Sequence, residues 1–559
     1  MASEMNSKTL TVIDGRRSAN YHPNIWDGDR IRSLKSHYND SQSNRHEELK
    51  QAVQRTLDVT LEPLDRLILI DDIKRLGVAY QFEKQINDAL DDLYSHNAEL
   101  VNKNDLHAAS LYFRLIRQHG CYISSDIFTK FKEGEGGFKA SLCEDVDGLL
   151  SLYEASFLGI KGETILDEAK AFSTSNLKKL MDHVKARDAE RIAHALDLPL
   201  HWRVIRVEAR HYIDVYKEKE NGRNDDLLEF AKLDYNMVQS LHQEELKELS
   251  IWWDSMDLAR KLGFFRDRLM ESFLLSVGLL DEPKYSEWRK AITKAINMIT
   301  VIDDIYDVYG SLDELELFTD AVNGWDLRLI DQLPEYMKLA YMVLINTANE
   351  MTYITLKETG WNAVDFVKEK WVTLCNNYII EARWFHKGHI PTMEEYLKIS
   401  TITAGATITM AQAYTFTEPP KSKDELVQID HTLKLLSLSS LIFRLCDDLG
   451  TSKAEQLRGD VPKSVECYMH ETGVSEEVAQ EHIKDLMSNA WKELNEESFK
   501  DAPFGRTFAN VIIYGARLGV CTYRHGDGYG NYATNDQVMS LFVEAVPTER
   551  RIKCHVNLV

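Results

Sequence analysis

The chain has 559 residues and carries 66 Lys+Arg against 89 Asp+Glu, a net charge of −23. That surplus of acid repels phosphate backbones and anionic lipid, which excludes nucleic acid and membrane surfaces as first partners. With 44% hydrophobic residues, 27 Gly and 11 Pro, the composition excludes disordered and fibrous classes and favours helix.

Residues 1–15 include Glu4 and Asp14 and hold no long apolar run, so neither a signal peptide nor a transit peptide is expected there. Leu64, Leu67 and Ile68 then fall at i, i+3, i+4. Leu69, Ile73 and Leu76 continue at i, i+4, i+7, and with Pro63 in front they predict a helix beginning at that proline. The run Gly134-Glu135-Gly136-Gly137 predicts a loop, and Leu149, Leu152 and Tyr153 open another helical stripe. The charged break from Glu218 to Asn224 is the predicted boundary between two helical domains, 1–222 with an N-terminal arm and 223–559. The uncharged stretch Ile399 to Thr417 contains six threonines, Ser400 and Gln412. It reads as a helix inside the protein, ended by Pro419-Pro420, and not as a membrane span. Gly526, Gly528 and Gly530 mark a loop near the C-terminus. No period-2 alternation and no βαβ rhythm occur, so the expected fold class is all-α. The seven cysteines are odd in number and scattered, which predicts a reducing compartment with no disulfide frame and no structural zinc.

Three clusters carry chemistry. Asp303, Asp304 and Asp307 follow an almost wholly apolar run from Ile296. On a helix Asp303 and Asp307 share a face, and burying such carboxylates unpaired is expensive unless a divalent cation offsets the charge. By contrast Asp71-Asp72 is followed by Lys74-Arg75, which reads as a solvated charged turn. Asp447, Thr451 and Glu455 form a second stripe at i, i+4, i+8, an all-oxygen set suited to Mg²⁺ or Mn²⁺; taken alone, a helix cap explains it as well. Arg444 precedes it by one turn. Arg266 and Arg268 flank Asp267, and residues two apart point away from each other on a regular helix, so joint action needs a helix end or loop. Alone they read as a surface charge pair. Together the clusters describe a site where metal ions and arginines hold a diphosphate, release it as a leaving group, and leave a carbocation to an apolar, aromatic pocket.

At these residues the chain resembles the plant class I terpene synthases. Asp303, Asp304 and Asp307 match the family's D-D-x-x-D motif. Asp447, Thr451 and Glu455 match its second metal motif, Arg266 and Arg268 its R-x-R, and Arg444 its other diphosphate-binding arginine. Arg16-Arg17 with Trp26 matches the tandem-arginine motif of the angiosperm monoterpene synthase subfamily, whose arm closes over the site. The resemblance implies two all-α domains, an N-terminal α-barrel-like domain that is catalytically silent and a C-terminal class I α-bundle holding the site. It implies Mg²⁺ or Mn²⁺, three ions with substrate bound, and a prenyl diphosphate substrate. It places Tyr523 and Asp527 near the pocket mouth, and a helix kink at Thr403 to Thr407 with carbonyls toward the cation. No D-x-D-D acid is present, which argues against proton-initiated chemistry. Thr451 stands where chain-elongating prenyltransferases carry an aspartate.

Departures from the family pattern shape the expected product. Leu275 stands where an aromatic, often Trp, commonly forms a cation wall, which points to an acyclic or early-quenched product. Phe443 matches one of two phenylalanines that shorten isoprene synthase pockets, but Ile296 replaces the other, which predicts a deeper pocket. Geranyl diphosphate is the expected substrate, with farnesyl diphosphate the alternative and a non-catalytic helical binding protein the alternative of another class. The expected location is the plastid stroma for a trimmed mature form and the cytoplasm if Met1 is the native start. A monomer or weak homodimer is expected.

Overall fold

Apolar residues at helical spacing give each helix one stripe to bury, and packing those stripes together builds this molecule. The structure is a computed structural model that describes residues 16–548 except 37, 39–41, 97–103, 135, 220–221, 418–429, 501–504 and 532–533. Among the described residues there is one isolated bridge, Lys132 to Phe138, and otherwise helix, turn and loop. No helix among them is long and apolar enough to cross a membrane.

The N-terminal half includes α1 (Pro63–Arg75), α2 (Leu106–Gln118), α3 (Val146–Ser156), α4 (Thr164–Leu180) and α5 (Ile205–Lys217). Pro63 occupies the first turn of α1, where its missing N–H leaves no helical bond unmade. Leu67, Ile70 and Ile73 form the buried stripe of α1, and Leu149, Leu152 and Tyr153 that of α3. The acidic turn of α1 departs from the solvated reading. Asp72 is 4% exposed and accepts from Tyr212 Oη at 2.7 Å and Lys219 Nζ at 2.8 Å, while Asp71 pairs with Arg114 at 2.8 Å. The positive charge that balances these acids comes from α2 and from beyond α5, not from the next turn.

The predicted break at 218–224 separates α5 from the 32-residue α6 (Asp225–Met256); residues 220 and 221 lie outside the described set. The C-terminal half continues with α7 (Leu269–Leu279), α8 (Ser286–Asp304), α9 (Val364–Lys387), α10 (Met393–Thr403), α11 (Ala406–Thr417), α12 (Asp430–Arg458), α13 (Glu476–Ser498) and α14 (Gly505–Tyr523). The threonine-rich stretch is therefore two helices. They part at Gly405, whose φ of +76° is left-handed and suits glycine. Pro419-Pro420 lies outside the described residues, as does the extension that carries Cys554. The other six cysteines are free.

Aromatic stacking and polar latches join the two halves. Trp202 stacks on Trp491 of α13 at 5.3 Å, His201 Nε2 meets Asn495 Oδ1 at 2.9 Å, and Asn495 Nδ2 donates to the carbonyls of Phe157 and Gly159. Trp491 is 2% exposed. Trp491→Ala is expected to lower stability by about 3–5 kcal/mol, the usual range for emptying a large aromatic site, read by urea denaturation of the intact chain.

Candidate active site

The first acidic cluster sits where α8 ends. Ile292, Ala295, Ile296, Met298, Val301 and Ile302 bury the helix, so its last turn is held rigidly against the core. After Asp304 the chain widens into a π-turn, Ile305–Tyr309, a feature often found at functional sites. Asp303 and Asp307 line a cavity of about 140 Å³. No side chain among the described residues donates to the Asp307 carboxylate, and burial together with Asp303 pushes its carboxyl well above the usual range. Asp304 turns the other way. It is 0% exposed and accepts from Tyr21 Oη at 2.7 Å and from the Arg266 backbone N–H at 2.7 Å.

The second cluster repeats this division. Arg444, Asp447, Thr451 and Glu455 of α12 line the same cavity from the opposite wall. Thr451 Oγ1 donates to the Asp447 carbonyl at 2.9 Å, which leaves its lone pairs free to face a ligand. Asp448 points away and accepts from Tyr396 Oη at 2.9 Å and the Ser464 N–H at 3.2 Å. In each Asp-Asp pair the first acid faces the cavity and the second is a buried anchor. Adjacent helical residues point about 100° apart, so both cannot face one cavity.

Arg266 and Arg268 also divide. Arg266 lies in the loop before α7, lines the cavity, and pairs with Asp303 and Asp304. Arg268 caps α7 and holds backbone instead, donating to the carbonyls of His22 at 2.7 Å and Gly530 at 2.9 Å. Neither Asp304 nor Arg268 is among the residues that line the cavity. Asp304 instead holds Tyr21 and Arg266, which do face it, and Arg268 holds the backbone next to Tyr21 and Tyr529.

The arm lies over this end of the cavity. Arg16 pairs with Glu314 at 2.7 Å and donates to the Tyr309 carbonyl at 3.2 Å. Arg17 donates to the Asp307 carbonyl at 2.8 Å and to Asp460 at 2.6 Å, tying the arm to the first acidic cluster and to the turn that follows α12. Tyr21 lines the cavity with its ring 5.1 Å from the Arg266 guanidinium. Asn24 donates to Asp267 at 3.0 Å. Trp26 is 2% exposed under the Arg30 guanidinium at 3.8 Å; it anchors the arm and does not line the cavity.

Sequence reasoning missed Lys463, Glu381 and Tyr21. Lys463 lines the cavity 3.9 Å from Glu455, and that acid with Asp307 holds its ammonium charged against burial. It stands alone in a break after Pro462, where no period marks it. Glu381 accepts from Thr403 Oγ1 at 3.0 Å, and burial pushes its carboxyl up to about 7. Its signal was legible, because it falls on the buried stripe of Trp371, Leu374 and Tyr378 in α9, where an acid is out of place.

The remaining walls are apolar and aromatic. Leu275, Ile296, Phe443 and Met410 line the cavity with the rings of Tyr378, Tyr523 and Tyr529. Tyr529 Oη is fixed by Ser272 at 2.8 Å and Thr300 at 2.7 Å, and Tyr523 meets Phe443 edge-on at 5.7 Å. Thr403, Ala404 and Gly405 bring the α10–α11 break to the same wall. Asp527 lines the cavity beside Tyr523, and its Oδ1 accepts from the Gly530 N–H at 2.6 Å. The donor set fits hard divalent cations: it is all oxygen, it is split between the end of α8 with its π-turn and α12, and no side chain among the described residues donates to the Asp307 carboxylate.

Two family descriptions match the chain: "Terpene synthase, N-terminal domain" over residues 25–196 and "Terpene synthase family, metal binding domain" over residues 254–493. A sesquiterpene synthase of Cananga odorata is 56% identical over 547 residues, covering 97% of this chain and 100% of the relative. A chloroplastic trans-ocimene synthase of Litsea cubeba is 50% identical over 555 residues, covering 98% of this chain and 94% of the relative. Among solved structures, limonene synthase with 2-fluorolinalyl diphosphate superposes with a TM-score of 0.91 at 39% identity, covering 95% of this chain and 100% of that one. Grey poplar isoprene synthase with three Mg²⁺ ions and dimethylallyl-S-thiolodiphosphate gives 0.87 at 42%, covering 94% and 100%. The chain is an enzyme of the terpene synthase family, built on that family's two-domain α fold.

Proposed function

We propose that the chain is a Mg²⁺-dependent synthase that ionises geranyl diphosphate to a monoterpene and releases diphosphate. The observation that carries this reading is the convergence of two facing acidic stripes with Arg266, Arg444 and Lys463 on one cavity whose depth is apolar and aromatic. Asp303 and Asp307 on one wall, and Asp447, Thr451 and Glu455 on the other, would hold the divalent cations. Bound there, the cations supply Lewis-acid stabilisation of the leaving diphosphate. The two arginines and Lys463 bind its oxygens, the arginines as planar forks and the lysine as a point charge. Tyr21 and Arg17 keep water out at the diphosphate end. The rings of Phe443, Tyr523 and Tyr529 face the developing cation, each such contact being worth about 0.5–2 kcal/mol. Tyr523 keeps its phenol proton, because burial and neighbouring Asp527 push its ionisation far up. The aliphatic wall at Leu275 favours an acyclic or early-quenched product, in line with the likeness to trans-ocimene synthase. That relative's chloroplastic label supports a plastid setting.

A second reading takes farnesyl diphosphate as substrate, and the 56% identity to a sesquiterpene synthase favours it. Parallel incubations with both diphosphates and Mg²⁺, with products resolved by gas chromatography, decide between them. A higher kcat/KM for geranyl diphosphate with a ten-carbon product supports the first reading; the reverse order supports the second. No diphosphate release from either substrate overturns both.

Tyr21→Phe tests the arm. The substitution removes one hydrogen bond to a buried carboxylate, worth about 1.5–3 kcal/mol, so kcat is expected to fall roughly tenfold or more. Asp304 then holds Arg266 less firmly and water gains access, so the alcohol share of the product is expected to rise, read by the same chromatography.

A further inference from the structure

A second cavity, of about 310 Å³, lies between the two halves of the molecule, away from the acidic stripes. Lys74 reaches it from the last turn of α1, Arg114 from α2, and Arg517 from α14, so both halves supply positive charge. Of the other arginines on its wall, Arg117 is matched by Glu163, while Arg75 and Arg203 share the single Glu208. Arg114 pairs with Asp71 through one nitrogen at 2.8 Å. Its own Nε, in a residue only 5% exposed, has no hydrogen-bond partner, and neither does the Nε of Arg517. Neither Lys74 nor Arg517 pairs with a carboxylate among the described residues. Arg517 lies over the ring of Tyr514 at 5.0 Å.

Asp281, on the same wall and without an ion pair among the described residues, offsets part of this charge, and Glu282 and Glu83 are taken by Lys284, so a positive excess remains in a partly dry cleft, which is costly unless an anion is present. The field shows on its neighbours. Burial and the Arg114 charge, with a smaller contribution from Arg517, push the Lys74 ammonium down to about 8. Burial and the same two arginines push His201 down to about 3, so it adds no charge of its own. Two guanidinium forks and one ammonium are the donor chemistry of phosphate recognition. We propose that this interdomain cavity binds a phosphate-class anion, either orthophosphate or inorganic diphosphate, across Lys74, Arg114 and Arg517. Because α1, α2 and α14 all contribute, the anion joins the two halves and raises the stability of the whole chain.

The test is isothermal titration of the full chain with orthophosphate and, separately, with inorganic diphosphate, in excess EDTA so that no divalent cation serves the acidic cavity. Saturable binding of either anion is expected, with a rise in Tm. Lys74→Met with Arg517→Met is expected to weaken binding by about tenfold or more. The milder Lys74→Gln, at a half-buried position, is expected to do so in part and decides the matter if the double variant does not fold. Arg444→Met, in the other cavity, is expected to leave binding unchanged. Tighter binding of orthophosphate assigns the site to the free phosphate pool, and tighter binding of diphosphate assigns it to the reaction product; either supports the proposal. No binding of either anion overturns it, as does binding that survives loss of both Lys74 and Arg517 or is lost with Arg444. The proposal does not depend on the substrate assigned above, since its readout uses neither substrate nor turnover.

Discussion

Asp307→Asn is expected to abolish diphosphate release while making the metal-free protein more stable. Asp307 faces the cavity across from Asp447 and Glu455, and no side chain among the described residues donates to its carboxylate. Its carboxyl is held well above the usual range by burial and by Asp303, so its charge opposes folding in the absence of cations. Asparagine keeps the shape and removes that charge, so Tm in EDTA rises. The same change removes a cation ligand. Lewis-acid stabilisation of a leaving phosphoryl group is worth several kcal/mol, so kcat/KM falls by about 10³-fold or more. The pair of effects has opposite signs, which separates a functional acid from a structural one. For comparison, Asp304→Asn breaks a buried network with Tyr21 and Arg266 and is expected to lower both Tm and activity. Thermal melts with and without Mg²⁺, together with diphosphate release, give all four outcomes. An Asp307→Asn enzyme with full activity would sink the assignment.

That contrast also shows how far the chain was readable before folding. Composition, helical period and the breakers at Pro63 and in the 218–224 break were enough for an all-α protein. These signals are local, and each helix buries the stripe its own sequence marks. The cavity residues Asp303, Asp307, Asp447, Thr451 and Glu455 were legible because they interrupt apolar stripes at i+4 spacing. The division of labour within Asp303-Asp304 and within Arg266-Arg268 was not legible, because it depends on what lies opposite. Tyr21 comes back from the arm, more than 280 residues upstream, to take Asp304, and the His22 carbonyl does the same to Arg268. Lys463 is invisible to period because it stands in a break. The charged turn of α1 misled for the same reason: Asp72 is balanced by Lys219 and Asp71 by Arg114, and no local rule connects them. Once those acids are taken by distant partners, Lys74 is left over, and the interdomain cavity acquires its positive excess.

Chelation of divalent metal is expected to cost the enzyme its substrate affinity, and not only its turnover. The cavity wall carries Asp303, Asp307, Glu381, Asp447, Glu455 and Asp527, six carboxyl groups, against Arg266, Arg444 and Lys463, three cations. The difference is three negative charges when all six are ionised. A prenyl diphosphate adds about three more near neutrality, so without cations the site repels what it must bind. Three divalent ions would close that balance, and three Mg²⁺ are what the isoprene synthase relative holds with its diphosphate analogue. Glu381 sharpens the expectation. With its carboxyl near 7, it sheds part of its charge on mild acidification, so weak metal-free binding, if detectable at all, should strengthen as pH falls toward 6. Equilibrium binding of a non-hydrolysable prenyl diphosphate analogue, in EDTA and then in Mg²⁺, is the direct measurement. Affinity is expected to rise by about 10²-fold or more on adding metal, with half-saturation shifting in Glu381→Gln toward higher Mg²⁺, since one carboxylate that attracts the cations is gone. Equal affinity with and without metal would mean that the arginines and Lys463 suffice, and the two acidic stripes would then need another purpose.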